Sequence, residues 1–314
     1  MNNPSLQKPG SFNSPKQVVW IAALASIYLL LSYVLIGFKI DEVYLVLLFV
    51  GFYFSSRITR KFITGFSIFI VFWIIFDFMK AFPNYHFNTV HIESLYRAEK
   101  KLFGITVQGK ILTPNEYWLS HHYTWLDVMA GIFYLCWVPV PLAFATYLFF
   151  KNRVVFLHFS LTFLLVNLIG FAIYYIYPAA PPWYIQQHGF DFLPFTKGNT
   201  AGLERFDVYF NTNIFHSLYS KSSNVFAAMP SLHSSYPVIV LFYAVKNKLG
   251  PVIILLAFVM IGIWFSAVYT SHHYILDVIA GITCALTAIC LFQWMVLHHS
   301  RTQKAILKFA KHIE

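Results

Sequence analysis

Long apolar runs separated by short polar clusters make up most of the chain. The first, Val18 to Phe38, follows a polar start carrying Lys8 and Lys16, and about 20 such residues suffice for a helix to cross a hydrocarbon core. It ends in Tyr33, Leu35, Ile36 and Phe38, without the small-x-small cleavage site of a signal peptide, so it is expected to be retained. Further spans are predicted near 43–56, 62–79, 127–150, 154–177, 233–245, 251–270 and 275–297, which makes about eight. Two of them, 43–56 and 233–245, are short for an upright helix and must extend into their flanks or end in a protein-lined cavity. Between spans, 80–126 alternates apolar and charged positions at helical spacing through Ile92, Leu95, Tyr96, Glu99, Leu102 and Phe103, which suits an interfacial helix. Residues 178–232 open on Pro178, Pro181 and Pro182 and continue with Gly189, Gly198 and Gly202, so an irregular loop, a candidate lid, is expected.

Composition agrees with lipid as the outer solvent. The 314 residues are 58% hydrophobic, 20% aromatic and 11% charged, against roughly 25% charged in soluble domains. A water-soluble globule, a disordered chain and a cysteine-stapled secreted fold are excluded. Cys136, Cys284 and Cys290 fall inside apolar runs without metal or disulfide spacing and read as small core residues. Asp77 and Asp127 lie near span ends, where water can hydrate them.

The net charge of +10 does not point to nucleic acid, because the Lys and Arg residues sit in short clusters between apolar segments. Thirteen of them fall in one set of loops: Lys8 and Lys16, Arg57, Arg60 and Lys61, Lys151 and Arg153, Lys246 and Lys248, and Arg301, Lys304, Lys308 and Lys311. The positive-inside rule then puts both termini in the cytoplasm. The short cytoplasmic loops favour a bacterial plasma membrane. The outer ends of the helices beginning near His233 and Ser271, together with His121, fall on the opposite, periplasmic or luminal, side.

Two motifs at those outer ends carry candidate chemistry. In Met229-Pro230-Ser231-Leu232-His233-Ser234-Ser235-Tyr236, Ser231 is a plausible N-cap, and helix-end N–H groups can receive a phosphate while His233 faces it. In Ser271-His272-His273-Tyr274-Ile275-Leu276-Asp277, the spacing of four puts His273 and Asp277 on one helical face. There the carboxylate can fix the imidazole tautomer and leave the other nitrogen free to attack phosphorus, with His272 turned about 100° away. An ionisable residue inside an apolar span is a functional candidate by default. Spacing alone does not rank His233 above His121. Nothing fixes a metal geometry among His121, His122, His233, His272, His273 and Asp277, so no metal or other cofactor is expected.

Pro230-Ser231-Leu232-His233 with His273-x-x-x-Asp277 resembles the second and third signature motifs of the type 2 phosphatidic acid phosphatase superfamily of membrane lipid phosphatases and phosphotransferases. Ala180-Pro181-Pro182-Trp183-Tyr184, Ser231-Leu232-His233 and Ser271-His272-His273-Tyr274 look most like its inositol phosphorylceramide synthase branch. The resemblance covers about residues 115 to 299. It implies a six-helix core bundle, hence an all-α polytopic membrane protein with N-terminal spans and an interfacial segment over 1–126, a catalytic membrane core over 127–299 and a basic tail over 300–314. It also implies a phospho-histidine mechanism, with His273 as nucleophile, Asp277 as its orienter and His233 as general acid and base. Pro181, Pro182, Trp183, Tyr184, Ser231, Tyr236, His272 and His121 are the expected substrate contacts. A surface-level His273 contributes little to packing, so His273→Ala is expected to leave the fold intact.

The departures are informative. The simpler phosphatases of the superfamily carry a Lys-x6-Arg-Pro motif and an Arg six residues before the nucleophilic His; this chain has no Arg-Pro, and position 267 is Ala. A phosphomonoester with nearly two negative charges suits bidentate Arg, whereas a lipid phosphodiester carries one. The reading is therefore transfer of a phosphoryl head group, from a donor such as phosphatidylinositol to a lipid alcohol such as ceramide, with release of diacylglycerol. A lipid phosphate or pyrophosphate phosphatase on the same scaffold is the alternative, and a transporter a more distant one. Partners other than membrane lipids are not indicated, and the oligomeric state is left open.

Overall fold

The structure, a computed structural model, describes residues 14–220 and 224–314, so Lys8 lies outside the described residues. The described residues divide into two compact units, one of residues 14–81 with 311–314 and one of residues 82–220 with 224–310.

The first unit holds α1 (Pro15–Ile36), α2 (Ile40–Ser55) and α3 (Arg57–Phe78). Ser14 caps α1 by accepting from the Gln17 amide, with Pro15 in the first turn, and the helix stops at Gly37 in a left-handed conformation, φ 78°. Ser56 and Thr59 form the same reciprocal cap on α3. Asp77 is not hydrated as expected. It is buried and paired with Lys80 at 2.5 Å and Lys39 at 3.9 Å, because an unpaired carboxylate at that depth would be costly.

The second unit begins with α4 (Glu93–Phe103), followed by a hairpin of β1 (Ile105–Val107) and β2 (Lys110–Leu112) and by α5 (Pro114–Ser120). The hairpin adds a small sheet to a fold expected to be all-α. Its two-residue turn, Gln108-Gly109, has positive φ at both positions, the geometry that matches strand twist.

The core bundle is formed by α6 (Thr124–Leu135), α7 (Pro139–Lys151), α8 (Arg153–Ile176), α12 (Leu232–Lys246), α13 (Val252–Tyr269) and α14 (Ile275–His298). The expected 127–150 span is thus two helices joined by a turn at 136–138, just before Pro139. Segment 178–232 is more ordered than its Pro and Gly content suggested: it contains α9 (Pro182–His188), α10 (Glu204–Phe210) and α11 (Ile214–Ser220). The chain ends in the amphipathic α15 (Ser300–Ile313), which carries Arg301, Lys304, Lys308 and Lys311.

Among the described residues six helical segments are long and apolar enough to cross a membrane: α1, α3, α6 with α7, α8, α13 and α14. The other two expected spans, α2 and α12, have 16 and 15 residues. Trp20, Leu30 and Val34 on α1 and Leu286, Trp294 and Leu297 on α14 stay exposed, as lipid-facing positions do. Cys284 is buried and Cys136 half-buried, but Cys290 is exposed and so is not the core residue its apolar surroundings implied.

In the bundle α12 packs against α8, α13 and α14. Its entrance meets α14 at Gly281, where a Cβ would overlap the Ser231 carbonyl oxygen, and Ser235 Oγ donates to the Gly281 carbonyl at 2.7 Å. Three distant segments form a ledge beside this crossing. His91 N donates to Pro178 O at 2.7 Å, Ala179 N to Phe226 O at 2.8 Å and Ala228 N to Ala179 O at 3.2 Å. Gly281→Ala forces the two helices apart and should cost about 1–3 kcal/mol. Thermal unfolding in detergent checks this, and an unchanged melting temperature would contradict the close approach.

Candidate active site

Ser231 stands at the N-cap of α12, but its hydroxyl accepts from Ser234 Oγ at 3.0 Å rather than from the backbone. The cap is tied elsewhere: Ser231 N donates to the Asp277 carbonyl at 2.9 Å, and Tyr174 Oη donates to the Pro230 carbonyl at 3.1 Å. His233 lies in the first turn that follows.

The second motif is a turn between α13 and α14. His272 N and His273 N both donate to the Ala267 carbonyl, at 3.1 and 2.9 Å. Ser271 takes a left-handed conformation, φ 61°, which costs a non-glycine residue on the order of 1 kcal/mol and must be held by its surroundings. Trp183 N donates to Ser271 O at 3.0 Å and Gln186 Nε2 to Ser271 Oγ at 3.0 Å. Asn115 Nδ2 bridges the turn by donating to Val268 O at 2.8 Å and His273 O at 2.9 Å. Because α14 starts at Ile275, His273 precedes the helix. It meets Asp277 because Asp277 folds back over the helix start, not through a shared helical face.

The structure brings His233, His273 and Asp277 together. His273 Nε2 is 3.1 Å from His233 Nδ1, and His273 Nδ1 is 3.6 Å from Asp277 Oδ2, which accepts from Tyr274 N at 2.8 Å. The His–Asp separation exceeds a hydrogen bond, so about half an ångström of closure is needed to make one. Tyr134 Oη lies 3.4 Å from His233 Nδ1, and the Trp137 ring stands edge-on to His233 with centroids 4.4 Å apart. His273 is 5% exposed, so the expectation of a surface-level histidine is corrected. Burial lowers its pKa to about 4, leaving the imidazole neutral and nucleophilic at ordinary pH.

The remaining predicted residues divide. His272 is sandwiched between Tyr134 and Tyr219 and donates to the Thr200 carbonyl at 3.0 Å. Burial, then the charges of His273 and His233, lower its pKa well below the usual histidine value. Pro181 and Pro182 lead into α9, whose Trp183 and Tyr184 are buried with Ile92 and Phe226 and brace the turn from behind. Tyr236 is a core residue whose hydroxyl donates to Asn167 Oδ1 at 2.6 Å. His121 stacks on Tyr117 and donates to its carbonyl, and is not drawn to the histidine pair.

Asp127 was expected to be hydrated at an interface. Instead it is buried and accepts from Arg205 Nε at 2.6 Å and Tyr269 Oη at 2.8 Å, which compensates its charge. Tyr134, Trp137, Asn115, Glu99 and Arg205 were missed as site neighbours. Tyr134 and Trp137 sit in an apolar run, while Asn115, Glu99 and Arg205 sit in short helices between the spans, and none has a spacing that marks it.

The PAP2 superfamily profile matches residues 94–291. The chain is 45% identical over 283 residues, 90% of its length and 93% of the relative's, to the phosphoinositol dihydroceramide synthase of Bacteroides thetaiotaomicron. It is 32% identical over 167 residues to the inositol phosphorylceramide synthase of Candida albicans, covering 49% of this chain and 34% of that one. With the inositol phosphorylceramide synthase catalytic subunit of Saccharomyces cerevisiae the identity is 34% over 137 residues, 43% of this chain and 33% of the relative. The chain thus spans about a third of the fungal relatives' length. No solved structure matches it.

This chain belongs to the PAP2 superfamily. It is an enzyme and a multi-pass membrane protein.

With the pKa of His273 depressed by folding, the unfolded chain takes up a proton that the folded one refuses. The stability this provides is present above about pH 6.5, the free histidine value, and is lost as the pH falls toward about 4. Nitrogen-labelled histidine spectra, assigned with His273→Gln, should therefore show this ring neutral at about pH 5.5. A ring already charged there would contradict its burial.

Proposed function

We propose that this enzyme transfers the phosphoinositol head group of phosphatidylinositol to a ceramide-type lipid alcohol through a phospho-histidine and releases diacylglycerol. The observation that carries the mechanism is the buried contact of His273 Nε2 with His233 Nδ1, with Asp277 behind the opposite nitrogen. The names of the relatives support the choice of substrates.

With its proton on Nδ1, toward Asp277, His273 presents an Nε2 lone pair where His233 now sits. A donor phosphate entering between the two rings meets the nucleophile on one side and an acid on the other. Nε2 attacks phosphorus, the bond to the diacylglycerol oxygen breaks, and His233, which takes up a proton as the anionic donor phosphate enters, gives that proton to the leaving oxygen. His233, now neutral, takes the proton of the acceptor hydroxyl as its oxygen attacks phosphorus and the P–N bond breaks. The second step returns both rings to their starting protonation states.

Burial of the pair under Trp137, Tyr134 and the braced turn supports transfer over hydrolysis, since water must be kept from the phospho-histidine until the acceptor arrives. We place both termini in the cytoplasm and the histidine pair at the periplasmic or luminal face, in line with the distribution of Lys and Arg. A bacterial plasma membrane fits this reading.

Purified, lipid-reconstituted protein given phosphatidylinositol labelled in the inositol ring should yield a labelled lipid only when ceramide is present. Water-soluble label regardless of ceramide would make the protein a hydrolase. Because His273 is buried, Gln is a better probe of its role than Ala: His273→Gln should abolish turnover at an unchanged melting temperature, and retained turnover would sink the mechanism. Asp277→Asn should lose about 10²-fold or more in turnover while keeping a measurable residue, since the nucleophile remains.

A further inference from the structure

The start of α14 is held by two carboxylates. Asp277 takes the amide of Tyr274, while the amides of Ile275 and Leu276 donate to Glu99 Oε1 at 2.9 Å and Oε2 at 3.1 Å. Glu99 belongs to α4, is 0% exposed, and reaches across from a segment 176 residues away in sequence. Both of its oxygens accept. That pattern suits the ionised form, whose two oxygens both accept fully, whereas in a protonated carboxyl one oxygen carries the hydrogen and accepts only weakly. Two negative groups on one helix start are favoured by the dipole but repel each other.

We propose that Glu99 is a positioning residue that sets the register of the catalytic turn in a pH-dependent way. Ionised, it pins the first turn of α14, and with it Asp277, against His273; protonated, it holds one amide only weakly, the His–Asp geometry loosens and catalysis slows. The inference rests on the reading of His273 and Asp277 given above. Burial first, with the charge of Asp277 adding, raises the Glu99 pKa to about 7, against the two amide bonds that lower it.

The other ionisable groups nearby are already engaged. Tyr274, next to the bonded amides, is buried and its pKa is raised, so it stays neutral. Lys100 donates to Tyr96 Oη, and Glu116 of α5 accepts from Tyr96 Oη at 2.8 Å and from Thr113 N at 2.7 Å. Ile185 of α9 and Met229 bring no charge, while Tyr177, which follows α8, has its pKa raised by burial and stacks on His91 with ring centroids 3.7 Å apart. Asn115 is the complementary strut on the carbonyl side of the turn, and it does not titrate.

The test is the pH dependence of head-group release by the full-length, reconstituted protein, as kcat and KM for phosphatidylinositol. The wild type should show an acid limb near the Glu99 value, about 7. Glu99→Gln should lower kcat about tenfold at alkaline pH with little change in KM and should abolish that limb. Asn115→Ala should lower kcat at every pH and leave the limb in place, and Glu116→Gln should leave it in place too. A limb that persists unshifted in Glu99→Gln, whatever the rate, overturns the proposal.

Should Glu99→Gln fail to fold, infrared titration of the wild type decides. A buried carboxyl that ionises near the predicted value supports the proposal, and its absence overturns it. Since the assay counts all phosphorus–oxygen cleavage, hydrolysis in place of transfer would refute the proposed function while leaving the Glu99 result readable. Retained turnover in His273→Gln would refute the nucleophile without moving the limb.

Discussion

Amide groups at the start of a helix need acceptors, and in an apolar interior water cannot supply them. At α14 protein groups meet that need: Asp277 and Glu99 take three successive amides, while the carbonyl of Asp277 receives Ser231 N from the facing helix. One residue therefore caps its own helix, anchors the entrance of α12 and stands behind His273. The missing side chain of Gly281 lets the two helix entrances come close enough for this. Loss of any one of these bonds would leave a buried polar group without a partner, so the arrangement is held as a unit.

The same burial sets the chemistry. A histidine pair in water would be partly protonated and would compete poorly for phosphorus. Under Tyr134, Trp137 and the braced turn, His273 stays neutral, so its reactivity comes from desolvation and from the orientation supplied by Asp277. Tyr134 is shared between the two motifs: its hydroxyl approaches His233 while its ring covers His272. His272 thus fills the space behind the pair, and its own donor is spent on the Thr200 carbonyl. Arg205, whose guanidinium and the Thr270 backbone both border Gly202, is held by Asp127 in a chain whose Arg-Pro motif is missing.

Much of this was legible from residue order. Hydropathy located six of the eight expected segments as helices long and apolar enough to cross a membrane, because backbone satisfaction in lipid leaves few other solutions, while the short 43–56 and 233–245 runs reappear as helices of 16 and 15 residues. The spacing of His273 and Asp277 pointed, for an inexact reason, to two side chains that the fold does place side by side. A spacing of four suits a helical face, but it equally suits a residue one position ahead of an N-cap and a carboxylate folding back on that cap. What stayed hidden was long-range: nothing local to Glu99 or Asn115 announces a partner more than 150 positions away. The buried pairing of Asp77 and Asp127 was hidden too, because hydropathy reports depth and not neighbours.

The ledge of His91, Ala179 and Ala227 joins segments that lie far apart in the chain. Short ladders of this kind repay the entropy of loop closure only after the helices that carry their strands are already packed. Membrane insertion can therefore finish while the rim of the site is still open. The three extended segments of the ledge thus depend on the packed helices for the placing of their ends, and the rim of the site is ordered by contacts within the protein and not by the bilayer.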